Sequence, residues 1–329
     1  MKRIFYVAPL GDGQTGHYIY DAFKKLGYGI AHYDARETIK KLGSKMLIKH
    51  MKANIDALVQ KPDMMFVLKG LTEPDVVIDY AKSKGIHTAC WIFDATLQGV
   101  PIPECKFYIE KTNHYDVFYN YCNNIDDLKD AGAKNPKLLP EGYSEKFSKP
   151  EVLNKYISRK FGADIVFIGT IDNIHPERED YIERIIDEGF DIKIFGELKK
   201  DTSPKLIEKH QKMIIINEFH SYACQSSKIC IGGLDSDYMV DQSQSARVYR
   251  TLACGGFYLC RHTNGIEKAF TPGVHLATFK DKDDMVKKII YYLNHPEERE
   301  KIAKAGMEKV KEYTFIKRLE KEFGRGDKK

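Results

Sequence analysis

The feature that most constrains the fold is an alternation, run through twice, of short apolar stretches with amphipathic stretches of helical period. The first series runs Arg3–Ala8, a helical pattern from about Gly16 to Leu26, Gly29–Asp34, and a longer helical pattern through Lys41–Val59. It continues with Met64–Leu68, a helix after Pro74, Ile86–Phe93 and Asp116–Asn120. The strand-like runs lack the polar alternation of a half-exposed strand, which predicts strands buried on both faces of a parallel sheet. A doubly wound α/β domain is the natural reading.

From Asp164 the alternation restarts: Asp164–Ile168, a helix near Arg178–Glu188, Asp191–Phe195, Met213–Ile216, Lys228–Ile231 and Phe257–Cys260. A second α/β domain therefore follows. Between the two, Leu138–Pro150 carries two prolines, a glycine and a Ser-Glu-Lys cluster, which is linker chemistry. The expected division is an N-terminal Rossmann-like domain over 1–145, a C-terminal one over 146–312, and a helix and tail over 313–329 that could pack back on the first domain. Near the end, Asp281 is placed to cap a helix bearing Met285, Ile289, Ile290 and Leu293, and Pro296 opens the next at its tolerated first-turn position. Arg325-Gly326-Asp327 reads as a chance triplet in a frayed tail.

Composition excludes several classes. With 43% hydrophobic and 12% aromatic residues the chain can bury a core and is not disordered. A net charge of +5 suits small anionic ligands without marking a nucleic-acid binder, so nucleic acid stays open as a partner but is not indicated. Seven cysteines, odd in number and without a C-x-x-C, fit reduced thiols in a cytoplasmic protein. The apolar run Ile4–Leu10 is too short for a signal-peptide core or a membrane span. His17, His175 and His220 are scattered without ligand spacing, so no metal site is expected. Oligomeric state is not readable.

Gly11-Asp12-Gly13-Gln14-Thr15-Gly16 is a G-x-G-x-x-G between a strand and a helix, and Asp34 ends the next strand. Taken alone this is a dinucleotide fingerprint, with the glycines admitting a pyrophosphate to the helix N-terminus and the carboxylate holding a ribose. Pro9-Leu10, however, lengthens a turn that the fingerprint needs tight. The alternative is a glycine-rich loop at the mouth of any doubly wound sheet, where Gly relieves backbone strain.

A second constellation carries more information. Ser243–Cys260 reads as a helix, capped by Ser243 or Ser245, that stops at Gly255-Gly256 and runs into a buried strand. Unpaired N–H groups at such an N-terminus attract phosphate, and Arg247 or Arg250 would add charge-assisted bonds to a diphosphate. Solvated helix arginines are the competing reading for each. In the first series Asp94 ends a buried strand beside Trp91, at the sheet edge where open α/β sheets bind ligands, and is the candidate base or acceptor ligand. A turn-capping aspartate is its alternative. His114, before a strand, is a weaker catalytic candidate.

The residues Ser245-x-Arg247-x-Tyr249, Leu252-Ala253-Cys254-Gly255-Gly256-Phe257, Gly265-Ile266-Glu267, Phe270-x-Pro272-Gly273 and Tyr291-Tyr292-Leu293-x-His295-Pro296-Glu297-Glu298-Arg299 resemble the CgeB-like (spore-maturation-protein) glycosyltransferases. The resemblance extends through Asp164–Thr170 and, more loosely, Trp91-x-x-Asp94 and Leu139-Pro140-Glu141-Gly142. It implies the GT-B fold, two facing Rossmann-like domains with the nucleotide sugar held mainly by the C-terminal one. It also implies a turn near the donor phosphates at Gly169-Thr170, donor contacts from Ser245, Arg247, Arg250, Gly255 and Glu267, and an acceptor-side loop at Gly11, Gly13, Gln14, Thr15 and Gly16. The family usually has an acidic residue where this chain has Arg250, and related retaining transferases another where it has Gln242. The expected activity is glycosyl transfer from a nucleotide sugar, most simply a UDP-sugar, to an unknown acceptor hydroxyl, with no metal required. The competing readings are a nucleotide-sugar binding protein without catalysis and an NAD(P)-dependent oxidoreductase built on the Gly11–Gly16 loop.

Overall fold

The computed structural model describes residues 2–70, 72–93, 102–173, 176–234 and 245–324. Asp94, His175, Gln242 and the 325–329 tail fall outside these residues. The chain divides into two compact units, Met1–Glu141 with Phe315–Lys329, and Gly142–Thr314.

The first unit is a six-stranded, all-parallel sheet in the order β2-β1-β3-β4-β5-β6. Its strands are β1 Arg3–Val7, β2 Gly29–Tyr33, β3 Met64–Leu68, β4 His87–Ile92, β5 Val117–Asn120 and β6 Pro136–Leu138. The helices are α1 Thr15–Lys25, α2 Ala35–Leu42, α3 Leu47–Asp56, α4 Asp75–Ser83, α5 Ile102–Thr112 and α6 Ile125–Asp130. All of β3 and β5 is buried, as strands covered by helices on both faces must be. The helical pattern over Lys41–Val59 is interrupted: Gly43, at φ +81°, ends α2 and a 3-10 turn over Ser44–Met46 leads into α3. Strand β6 was not foreseen, because three residues at a sheet edge carry no readable period.

The second unit is a five-stranded parallel sheet, β11-β10-β9-β7-β8. Its strands are β7 Ile165–Ile168, β8 Ile192–Phe195, β9 Ile229–Gly232, β10 Tyr258–Arg261 and β11 Ala277–Phe279. Around it lie α7 Lys155–Phe161, α8 Glu177–Asp187, α9 Pro204–Lys209, α10 Glu218–Ser226, α11 Ala246–Ala253, α12 Asn264–Glu267, α13 Lys282–Asn294 and α14 Pro296–Val310. Asp281 caps α13 through a 2.8 Å bond from the Asp284 N–H. The expected strand at Met213–Ile216 is not one. Lys212 and Asn217, with φ of +53° and +52°, bend the backbone at both ends of that run and leave it a single bond to the sheet, Gly196 N–H to the Met213 carbonyl.

The last helix, α15 Phe315–Phe323, belongs to the first unit and packs on α1. Phe315 and Leu319 are fully buried, and the Phe323 ring packs among aromatic rings, 5.8 Å from Phe23, 5.6 Å from Phe66 and 5.5 Å from Tyr119. Each unit thus has its own core, one around β1, β3 and β4, and two layers either side of β7, β9 and β10.

Candidate active site

Both sheets share one topological property. In each, the first strand in sequence lies between the second and the third, so the chain crosses to opposite faces from adjacent strands β1 and β3, and from β7 and β9. Ligands bind open α/β sheets in the crevice that such a switch point leaves beyond the carboxyl ends of the strands.

In the second unit the crevice is filled by one arginine. Gly169 follows β7 and Gly232 ends β9, and between these two side-chain-free positions lies the Arg247 side chain. A Cβ on Gly169 would collide with Arg247 Nη2, and one on Gly232 would come within 2.9 Å of Arg247 Cδ. The guanidinium carbon sits 5.4 Å from the centre of the Phe167 ring, a cation–π contact that fixes the plane. Arg247 Nη1 is buried and has no hydrogen-bond partner among the described residues. Leaving a charged donor unsatisfied in a site out of water is costly, so the arrangement is suited to an anion that completes it.

The helix carrying Arg247 starts here too. Ser245 is the N-cap of α11, its Oγ accepting from the Arg247 N–H at 3.4 Å, as one of the two expected caps. Thr170 turns away from β7 with its carbonyl bonded by Arg178 Nη1 at 2.7 Å. The Gly169 N–H, expected to be open to phosphate, instead donates to the Phe195 carbonyl at 2.9 Å. Gly169 therefore serves by lacking a side chain, not by donating.

Other expected donor residues lie elsewhere. Gly255, at φ +80°, terminates α11 at the end opposite Ser245, its N–H bonded to the Leu252 carbonyl, so it is a helix stop. Arg250 is half-buried one turn beyond Arg247. Glu267 closes α12, just past the carboxyl end of β10, and is engaged by His262 Nε2 at 2.9 Å. Sequence reasoning missed Gly232 and Phe167. The Gly232-Gly233 pair after a buried run was the available signal for the first; nothing in the sequence marked the second.

In the first unit the corresponding crevice is an open cleft of about 380 Å³. Gly13, Gln14, Thr15 and Gly16 line it with Asp34, Arg36, Lys69, Glu73 and Phe93. Gly16 lies so close to the Pro9 carbonyl that any side chain would strike it, and its own carbonyl accepts from the buried Tyr6 hydroxyl at 2.8 Å. Gly11 donates to Gln14 Oε1 at 3.1 Å, which closes the loop on itself. The Asp34 carboxylate caps α2, accepting from the Arg36 and Glu37 N–H groups at 2.9 and 3.0 Å. One oxygen, Oδ1, of the carboxylate that the dinucleotide reading assigned to a ribose is therefore engaged by a helix start. His114 stands in the connection that enters β5 and pairs with Asp79 at 3.2 Å and Asp75 at 3.6 Å on α4. It is not among the cleft's lining residues. Among the described residues no group of His, Cys, Asp and Glu could hold a metal ion, and no helix is long and apolar enough to cross a membrane.

Residues 178–322 match the glycosyl transferase-like family. No curated protein matches the chain. Solved structures of the same architecture include sucrose-phosphate synthase from Thermosynechococcus elongatus, 11% identical over 95% of each chain with a TM-score of 0.70. HepE of Anabaena in complex with UDP and glucose is 7% identical over 98% of this chain and 99% of that one, with a TM-score of 0.69. A glycosyltransferase from Rickettsia africae is 11% identical over 98% and 96%, with a TM-score of 0.69. At these identities the likeness establishes the fold, which is GT-B. The matched segment includes Gly232 and α11 with Arg247, but not Phe167 or Gly169.

Proposed function

We propose that the chain transfers a sugar from a UDP-sugar to an acceptor hydroxyl, with the donor diphosphate held at the β7–β9 switch point of the second unit. The observation that carries this reading is Arg247, seated between Gly169 and Gly232 with a buried N–H left unused. The glycosyl transferase-like match over 178–322 and the UDP bound by a protein of the same fold support it.

In the transfer the acceptor oxygen forms a bond to the anomeric carbon, the bond from that carbon to the diphosphate oxygen breaks, and the hydroxyl proton passes to a base. Negative charge grows on the departing diphosphate. Arg247 and the N-terminus of α11 are positioned to stabilise it, the electrostatic work that dominates such steps. With a guanidinium there, the reading needs no metal. Asp94, next after the cleft residue Phe93, remains the proposed base. Placement within the CgeB-like subfamily and a cytoplasmic location belong to the same reading.

Calorimetry with UDP on the full chain tests it. Arg247→Ala removes a charge-assisted contact worth about 1.5–3 kcal/mol, so UDP should bind at least about tenfold more weakly. Unchanged affinity in a folded variant would reject the placement. The nicotinamide reading would need NAD to bind instead, at a loop whose acidic partner is already committed to α2.

A further inference from the structure

The cleft of the first unit contains a group that donor binding does not use. Glu73 is only 5% exposed, lines the cleft, and its Oε2 is buried without a hydrogen-bond partner among the described residues. Its backbone is held in place, Lys111 Nζ donating to the Glu73 carbonyl at 2.7 Å. The backbone that delivers it is bent at two successive positions, Lys69 at φ +67° and Gly70 at φ +66°. A non-glycine residue in that region is strained, and strain of this kind collects at binding sites.

A second feature lines the same cleft. The eleven-residue α1 has no side-chain cap and no acidic residue in its first turn, because Gln14 spends its amide oxygen on Gly11. The exposed Arg36 adds a guanidinium on the cleft wall, near enough to Glu73 to lower its proton affinity. An uncapped helix start with an arginine recognises an anion; a buried carboxyl with an open lone pair recognises a hydroxyl.

We propose that this cleft binds the acceptor, and that the acceptor is a hydroxylated anion: its phosphate or carboxylate group on the N-terminus of α1 and Arg36, one of its hydroxyls donating to Glu73 Oε2. Only the word acceptor rests on the glycosyl-transfer reading; the binding itself does not. Burial pushes the Glu73 carboxyl up to about 7, so at neutral pH an anion meets a group that is only partly ionised.

The test is calorimetry on the full chain, without nucleotide, using glucose 6-phosphate, glucuronate, glucose and inorganic phosphate. One anionic sugar should bind at least tenfold tighter than glucose and than inorganic phosphate, and the phosphate and carboxylate arms show which anion the cleft takes. Arg36→Ala, at an exposed position, should weaken that binding at least tenfold. Glu73→Gln, with its fold checked by circular dichroism, should remove the advantage over inorganic phosphate. If neither anionic sugar outbinds glucose, or if both variants bind as the parent does, the proposal is overturned and Glu73 Oε2 belongs to a fixed water. UDP titrated into the same samples reports the Arg247 site separately. Sugar binding without UDP binding would sink the donor placement alone, and UDP binding without sugar binding would sink this one alone.

Discussion

Gly169 and Arg247 form a pair in which the absence of one side chain makes room for the other. In Gly169→Ala the new methyl would collide with the far end of the Arg247 side chain, which can swing aside, and come within 3.1 Å of Phe167 Cζ. Stability should change by less than about 0.5 kcal/mol, while UDP affinity falls roughly tenfold, near the effect of removing the guanidinium. Equal losses of stability and affinity would mean that the glycine is structural. Glu73 gives a prediction about pH. Its carboxyl is raised from an ordinary 4.5 to about 7, chiefly by burial, with Lys111 and Arg36 opposing. The folded state therefore binds this proton more tightly than the unfolded state. The contribution is fully present below about pH 4.5 and is lost as pH rises through about 7. Relative to the parent, Glu73→Gln should gain up to ~3 kcal/mol in denaturant-measured stability between pH 4.5 and 8. A flat difference across that range would show that Glu73 titrates normally. Arg247 was legible in the sequence because a capped helix start before a buried strand advertises phosphate chemistry. Glu73 was not, since its burial depends on a backbone bend at Lys69-Gly70 and on Lys111, far away in the chain.

Among the elements, α15 shows most directly what packing adds to propensity. It spans two and a half turns, too short to be stable alone, and holds its place through Phe315 and Leu319. Its end is tied down as well: the Phe323 carbonyl accepts from Lys2 Nζ at 2.9 Å and the Tyr28 hydroxyl at 2.6 Å. Leu319→Ala should destabilise the first unit by about 2–5 kcal/mol, the range for emptying a closed aliphatic site, and leave UDP affinity unaltered. A loss below 1 kcal/mol in thermal or urea unfolding would contradict the packing described. Most buried strands and several periodic helices were readable element by element. Helices α5 and α10 were not read, and the strand misses were short or bent pieces: β6 and β11 have three residues each, and Met213–Ile216 looks like a strand until two positive φ angles interrupt it. Periodicity needs length, and backbone torsion at Lys212 or Asn217 has no signature in side-chain type.

At the scale of the whole molecule, parallel sheets and two α/β units followed from the twofold alternation, whereas strand order did not. Apolar runs say that a strand is covered on both faces; they do not say on which side of β1 the chain will lay β3. That placement creates both crevices, so the candidate sites could be assigned to sheet edges from sequence but not to a particular pair of strands. It also accounts for the G-x-G-x-x-G loop: the loop reaches a switch point, while one oxygen of its downstream aspartate caps α2.

The chain leaves the first unit at Glu141 and re-enters it at Phe315, and both crossings are stitched side by side. Tyr143 pairs with Thr314, the Tyr143 N–H meeting the Tyr313 carbonyl at 3.3 Å, and on the other side Arg318 Nε donates to the Glu141 carbonyl at 3.3 Å. The second unit is thus a cassette spliced into its host with both ends at one seam. A fragment of residues 142–314 should fold alone and bind UDP within a few-fold of the full chain, and its failure to do so would show that the seam is not a true boundary. A gene that joins Glu141 to Phe315 through a short Gly-Ser bridge would deliver the host by itself, and a different cassette could be grafted at the same seam while leaving the first unit's cleft untouched.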